Sequence, residues 1–125
     1  MKKYFVLLAL MVVVWPGIFA KRVPPPKVIP VTQAGITYSA DGDGRSGYVI
    51  ASDAKTGSEL WRVKIYQVHI NPFMEEDVQW IYISGLKLSG NALLIRNEAA
   101  RCYRLDLEKK SVRNYRCTEE LSIKP

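Results

Sequence analysis

Residues 59–70 read Glu-Leu-Trp-Arg-Val-Lys-Ile-Tyr-Gln-Val-His-Ile. Trp61, Val63 and Ile65 alternate with Arg62 and Lys64, the period-two pattern of a half-buried strand. At Ile65–Tyr66 the parity switches, and Tyr66, Val68 and Ile70 carry the apolar set onward. Side chains alternate strictly in a regular strand, so keeping both sets against one core requires an extra residue. A β-bulge is therefore predicted at Ile65–Tyr66, the alternative being a strand covered on both faces.

Working outward, short apolar runs separated by Gly, Asn, Asp and Ser recur at the spacing of an all-β domain. Strands are expected near 36–39, 47–53, 59–70, 79–88, 92–97, 101–107 and 111–117. Between the third and fourth, Asn71, Pro72 and the acids Glu75, Glu76 and Asp77 form a helix-start pattern. Asparagine caps, proline suits the first helical position, and acids favour the positive helix end, so one short helical turn is expected near 72–77.

Cys102 and Cys117 flank a hairpin with its tip near Glu108–Ser111. A turn centred between Lys109 and Lys110 places the two cysteines directly opposite each other, with Asp106 facing Arg113 and Leu107 facing Val112. A structural disulfide is expected there in an oxidising compartment. The absence of a Cys-x-x-Cys pair argues against a redox role.

The run Ala51-Ser52-Asp53-Ala54-Lys55-Thr56-Gly57-Ser58-Glu59-Leu60-Trp61 leads into the opening strand. Asp53 and Thr56 can hold a turn backbone, Gly57 can take positive φ, and Trp61 can pack on the sheet. This turn resembles the AxDxxTGxxxW repeat of quinoprotein dehydrogenase β-propellers (the PQQ-like repeat). A weaker echo begins fifty-three residues later, where Tyr103–Leu107 precede a second turn; Lys109 and Lys110 replace Thr-Gly and the Trp position falls on Asn114. The mature chain, through GYVIASDAKTGSELW and EEDVQWIYI, is also similar to small exported bacterial proteins built on this pattern. The resemblance implies blade-like sheets: a four-strand blade over 81–115 and part of another over 36–70, too few to close a ring, which takes about four to eight blades. The cofactor and metal of the dehydrogenases sit in segments with no match here, so the resemblance implies no cofactor. The expected fold is one antiparallel meander of six or seven strands, a blade-like sheet curling into a small sandwich or barrel.

Met1–Ala20 joins Lys2 and Lys3 to an apolar run, Tyr4–Trp15, and ends in Pro-Gly-Ile-Phe-Ala. This is the pattern of a signal peptide cleaved after Ala20. Twelve residues span about 18 Å as a helix, short of the roughly 30 Å hydrocarbon core, so a permanent anchor is the lesser reading and no membrane span is expected after processing. Residues 21–34, with Pro24, Pro25, Pro26 and Pro30, read as a semi-rigid linker, and 35–125 as a single β domain in the periplasm or outside the cell.

Without Lys2 and Lys3, the 18 basic residues become 16 against 12 acids, a mature charge of +4. Arg96–Arg116 holds Arg96, Arg101, Arg104, Lys109, Lys110, Arg113 and Arg116 against Glu98, Asp106 and Glu108. That region, centred on Arg104, Arg113 and Tyr115, is the candidate binding patch for a protein or an anionic component of the envelope. Export argues against nucleic acid. Lys and Arg on strands also discourage aggregation without binding anything.

Sharper chemistry finds less support. Asp41-Gly42-Asp43-Gly44-Arg45 opens like a calcium loop, but Arg45 and Ser46 stand at the next ligand and glycine positions. His69, the single histidine, could join Glu75, Glu76 or Asp77 in a small metal or enzyme site, although one histidine rarely makes one. No serine motif accompanies it for nucleophilic catalysis. Trp61, Trp80, Tyr66 and Tyr82 could stack on sugars, but aromatic residues at strand parity ordinarily fill a core. The expected role is a non-catalytic exported binding or interaction module. The alternatives are the His69 site and self-assembly of several chains into a ring.

Overall fold

The computed structural model describes residues 24–117. The signal segment, its cleavage position and the first linker residues lie outside the described residues. Over the described residues the fold is all-β, with eight strands: β1 (Val31–Gln33), β2 (Ile36–Gly42), β3 (Ser46–Asp53), β4 (Glu59–Gln67), β5 (Ile83–Ser89), β6 (Ala92–Asn97), β7 (Cys102–Asp106) and β8 (Val112–Tyr115). They form two antiparallel sheets, β1-β2-β3-β4 and β5-β6-β7-β8, not closed into a barrel.

The meander order thus holds within each sheet, but it divides between β4 and β5. Strand β1, inside the span read as linker, completes the first sheet through Val31–Tyr38 and Gln33–Ile36 pairs. The helical turn is a single 3-10 turn at Asp77–Gln79, slightly beyond the expected span. Asn71 does accept a hydrogen bond at its side chain from Phe73 N–H (2.9 Å), but in a turn rather than a helix cap.

The bulge falls where the parity switch places it. Gly47 pairs with Tyr66 and Tyr48 with Lys64, leaving Ile65 as the extra residue. Ile65 is buried and Tyr66 packs on the same core, the outcome for which a bulge is required. A second irregularity, between the Ala51–Trp61 and Ser52–Glu59 pairs, leaves Leu60 unpaired and 51% exposed.

The core lies between the sheets. Tyr38, Val49, Ala51 and Ile65 come from the first sheet, and Ile83, Leu93, Ile95, Tyr103 and Leu105 from the second. Tyr66 is a main cross-link: its ring stacks on Tyr103 at 5.5 Å between centroids, and its hydroxyl donates to Ile81 carbonyl (2.7 Å). Burial pushes the Tyr66 phenol up, which keeps that donor protonated.

Four hairpin tips, residues 34–35, 54–58, 90–91 and 107–110, lie at one end of the molecule. The loops 43–45, 68–82 and 98–101 lie at the other, tied together by Ile81 N–H to Gly44 O and Glu98 N–H to Tyr82 O (both 2.9 Å).

The tips at Asp53 and Asp106 are built alike. Asp53 Oδ1 accepts Lys55 and Thr56 N–H at 2.8 and 3.1 Å, and Asp106 Oδ1 accepts Glu108 and Lys109 N–H at 2.9 and 2.8 Å. Each loop closes by a backbone bond, Asp53 to Ser58 and Asp106 to Ser111, and has a left-handed residue at the same place: Gly57 at φ 80° and Lys110 at φ 61°. Lysine there carries a steric cost that glycine avoids. Its ammonium lies 5.1 Å from the Trp61 ring centre, a cation–π contact that joins the two sheets.

These N–H donors hold both carboxyls below the usual carboxylate range, Asp53 through Thr56 and then Lys55, Asp106 first through Lys109. A depressed folded-state pKa contributes stability that is full above the unfolded value of about 3.9 and is lost as pH falls through the folded value. We expect the melting temperature to drop below about pH 4. A double Asp53→Asn, Asp106→Asn variant, whose amide oxygens can still accept, should show a shallower acid limb in thermal melts between pH 2 and 5. An unchanged limb would show that these turns do not contribute to the acid sensitivity.

Candidate functional site

The matching turns align the sheets residue by residue. With Asp53 set on Asp106, the row Val31–Tyr38–Ala51–Trp61 of the first sheet corresponds to Lys87–Leu94–Arg104–Arg113 of the second. The next row, Ala40–Val49–Val63, corresponds to Arg96–Cys102–Tyr115. Arg113, rather than Asn114, therefore stands in the place of Trp61, because the irregularity at Leu60 shifts the register by one.

Equivalent rows do not face the same way. The Tyr38–Ala51–Trp61 row looks into the core between the sheets, whereas in the second sheet the core is met by the opposite parity, Leu93, Ile95, Tyr103 and Leu105. The sheets stack front to back. Hence the second sheet's copy of the apolar row faces outward, and there Val, Tyr, Ala and Trp are exchanged for Lys, Leu, Arg and Arg.

The outcome is a basic sheet face. Strands lie about 4.8 Å apart, so Lys87, Leu94, Arg104 and Arg113 form a line about 14 Å long, with Arg96 and Tyr115 in the adjacent row. Arg104 and Arg113 are exposed and directly opposed across β7 and β8, a like-charge pair that is unfavourable on its own. Among the described residues, neither they nor Arg96 form an ion pair. Among the described residues, Asp106 is the acid of this face, and its Oδ1 is committed to its turn. The outward face of the first sheet differs: Arg62 bonds Glu59 (3.1 Å) and Asp41 (3.4 Å) and lies over Tyr48, so its charge is balanced.

The disulfide braces the basic face. Cys102 and Cys117 are bridged with Cα atoms 5.3 Å apart. The pairing differs from the expected one, since Cys102 opposes Tyr115 and Arg104 opposes Arg113. Because Asp106 closes its loop on Ser111, the turn sits one residue earlier than supposed, and Cys117 reaches Cys102 from just beyond the end of β8. Leu94, Cys102, Tyr115 and Cys117 pack as a small apolar cluster beneath the arginines.

The expected turn residues Asp53, Thr56, Gly57 and Trp61 are assembled as read, with Trp61 against Tyr38 at 5.9 Å. The patch residues Arg104, Arg113 and Tyr115 share one face. Lys87 was missed; its alternation with Leu86 and Leu88 marks the outward parity, but only the register places it beside Arg104.

His69 lies in a shallow open cleft of about 410 Å³ with Arg45, Gln67, Val68, Ile70 and Glu76. Glu76 bonds the Arg45 guanidinium and accepts Trp80 Nε1–H at 3.1 Å, and it is held below the usual carboxylate range, by Arg45 first and then Trp80. A cation there would meet the Arg45 charge and compete for a committed carboxylate. Among the described residues, no three His, Cys, Asp or Glu side chains gather as a metal site. In the Asp41–Arg45 loop, Asp43 Oδ1 accepts the N–H groups of Arg45 and Ser46 at 2.9 and 3.1 Å.

No family model matches the chain, and no curated protein matches it significantly.

Proposed function

We propose that this chain is an exported, non-catalytic binding module that docks an oxyanion-bearing component of the cell envelope on the outer face of its second sheet. The observation that carries the reading is the exchange of the apolar row Val31–Tyr38–Ala51–Trp61 for Lys87–Leu94–Arg104–Arg113 at equivalent positions. Paired guanidiniums present parallel N–H donors to carboxylate, sulfate or phosphate, and a bridging anion relieves their mutual repulsion. We further propose that the two sheets are propeller-type blades. On that reading the polar outer faces end the stack, as capping repeats do, and disfavour growth into a ring.

The test is retention of the disulfide-intact protein on a sulfated-polysaccharide column, and its sedimentation with vesicles of anionic phospholipid, as salt is raised. Binding should weaken steeply above about 0.15 M salt. The double variant Arg104→Glu, Arg113→Glu should lose at least tenfold in affinity on whichever probe binds, while Arg62→Glu on the first sheet should change it little. Equal binding by wild type and the Arg104, Arg113 variant would overturn the proposal.

A further inference from the structure

Loop 71–79 is an ordered knob with an apolar tip. Gln79 organises it: its amide nitrogen donates to the carbonyls of Asn71 (3.0 Å), Met74 (3.3 Å) and Glu75 (3.0 Å), and its oxygen accepts Asn71 N–H (2.7 Å). Glu76, held by Arg45 and Trp80, fastens the base. On this frame Phe73 is 92% exposed, with Met74 and Val78 at 55% and 50%. A loop this well tied could have turned Phe73 inward; holding it out in one geometry suits insertion into a partner, because little ordering is left to be done on binding.

A matching socket lies at the same end of the molecule. A cleft of about 410 Å³ has Tyr115 and the Cys102–Cys117 bridge as its more buried lining, with the exposed Ala100, Arg101, Asn114 and Arg116 around them. Its apolar floor suits an aromatic ring, with sulfur–aromatic contact as an added attraction. Its rim carries the charge opposite to Glu75 and Asp77, which flank the knob. The same two acids oppose the entry of Phe73 into an anionic bilayer.

From this complementarity we infer that the loop end of the molecule is a homodimer interface, in which Phe73 of each copy seats in the disulfide cleft of the other. Knob and socket share one end, opposite the four hairpin tips. A two-fold pair therefore satisfies both contacts at once and closes as a dimer rather than growing into a fibre. The socket borders the basic face and shares Tyr115 with it, whereas Arg104 and Arg113 are not among its lining residues, so association and anion binding are read by separate variants.

The test is sedimentation equilibrium of the purified, disulfide-intact protein from micromolar to millimolar concentration. Wild type should show a monomer–dimer equilibrium. Phe73→Ala should raise the dissociation constant about thirtyfold, the size of a central hot-spot truncation. Glu75→Lys with Asp77→Lys, and separately Arg101→Glu with Arg116→Glu, should each weaken association, and an equimolar mixture of the two charge variants should recover both contacts, one with its charges exchanged and one with them native, and dimerise more tightly than either alone. These positions are at the surface, so unchanged melting temperatures are expected. A monomer at every concentration, a dimer indifferent to Phe73, or no gain on mixing would overturn the inference, as would Phe73-dependent vesicle binding by a protein that stays monomeric.

Discussion

Gly47→Ala should destabilise the domain by about 3 kcal/mol, far more than a single methyl group suggests. A Cβ at Gly47 would lie 2.4 Å from Tyr66 Cε2 and 2.5 Å from Cζ, because the Tyr66 ring folds across the glycine with which it pairs. The ring can escape only by leaving its stack on Tyr103 and its hydrogen bond to Ile81 carbonyl. Stacking contributes about 0.5–1.5 kcal/mol, the hydrogen bond about 1, and forcing extra volume into a packed site costs about 1–3. Urea unfolding measures the sum. Gly85→Ala is the control: no heavy atom lies within 4 Å of the added Cβ, so its effect should stay within about 1 kcal/mol in either direction. A Gly47→Ala loss below about 1 kcal/mol would show that Tyr66 is not the clamp between the sheets.

Removing the disulfide should have an effect of similar size by a different route. Its sequence separation of 15 corresponds to about 3 kcal/mol by chain-entropy reasoning. Cys102 is also almost fully buried beside Leu94, so a Cys102→Ala, Cys117→Ala variant loses packing as well as the cross-link. Comparing that variant with reduced wild type separates the two contributions, because reduction leaves the sulfur atoms in place. The disulfide also anchors the end of β8, and its loss should loosen Arg113 and Tyr115 before it disturbs the first sheet. Amide exchange that rises uniformly in both sheets would contradict that order.

How far the fold was legible in the sequence depended on whether the signal was local. The bulge at Ile65 could be read because alternation and its interruption lie within a dozen residues. The Asp53 turn could be read because one aspartate, one threonine and one glycine carry the hydrogen bonds themselves. The β7–β8 register was misplaced because the Asp106 turn, lacking Thr-Gly, was centred by the position of the cysteines. Its likeness to the Asp53 turn, fifty-three residues earlier, was the better guide. Strand β1 is three residues long and directly follows prolines, so composition concealed it. The division into two sheets left no local mark, since nothing in residues 68–82 states that β5 will not pair with β4. Arg104 and Arg113 could be named in advance as part of a basic region, but their place in a row with Lys87 depends on three strand registers at once.

The order of strands within each sheet bears on how quickly the molecule assembles. Every hydrogen-bonded strand pair among the described residues joins neighbours in sequence, and the two sheets meet through the side chains of their shared core. Each sheet can zip from its turns with short loops to close, so most of the entropy of forming it is met in small steps. The late event is the meeting of two nearly complete sheets, at which Tyr66 finds Tyr103 and Lys110 finds Trp61. For an all-β chain this is a topology of low contact order, in which the time spent with sheet faces uncovered is set by one docking step.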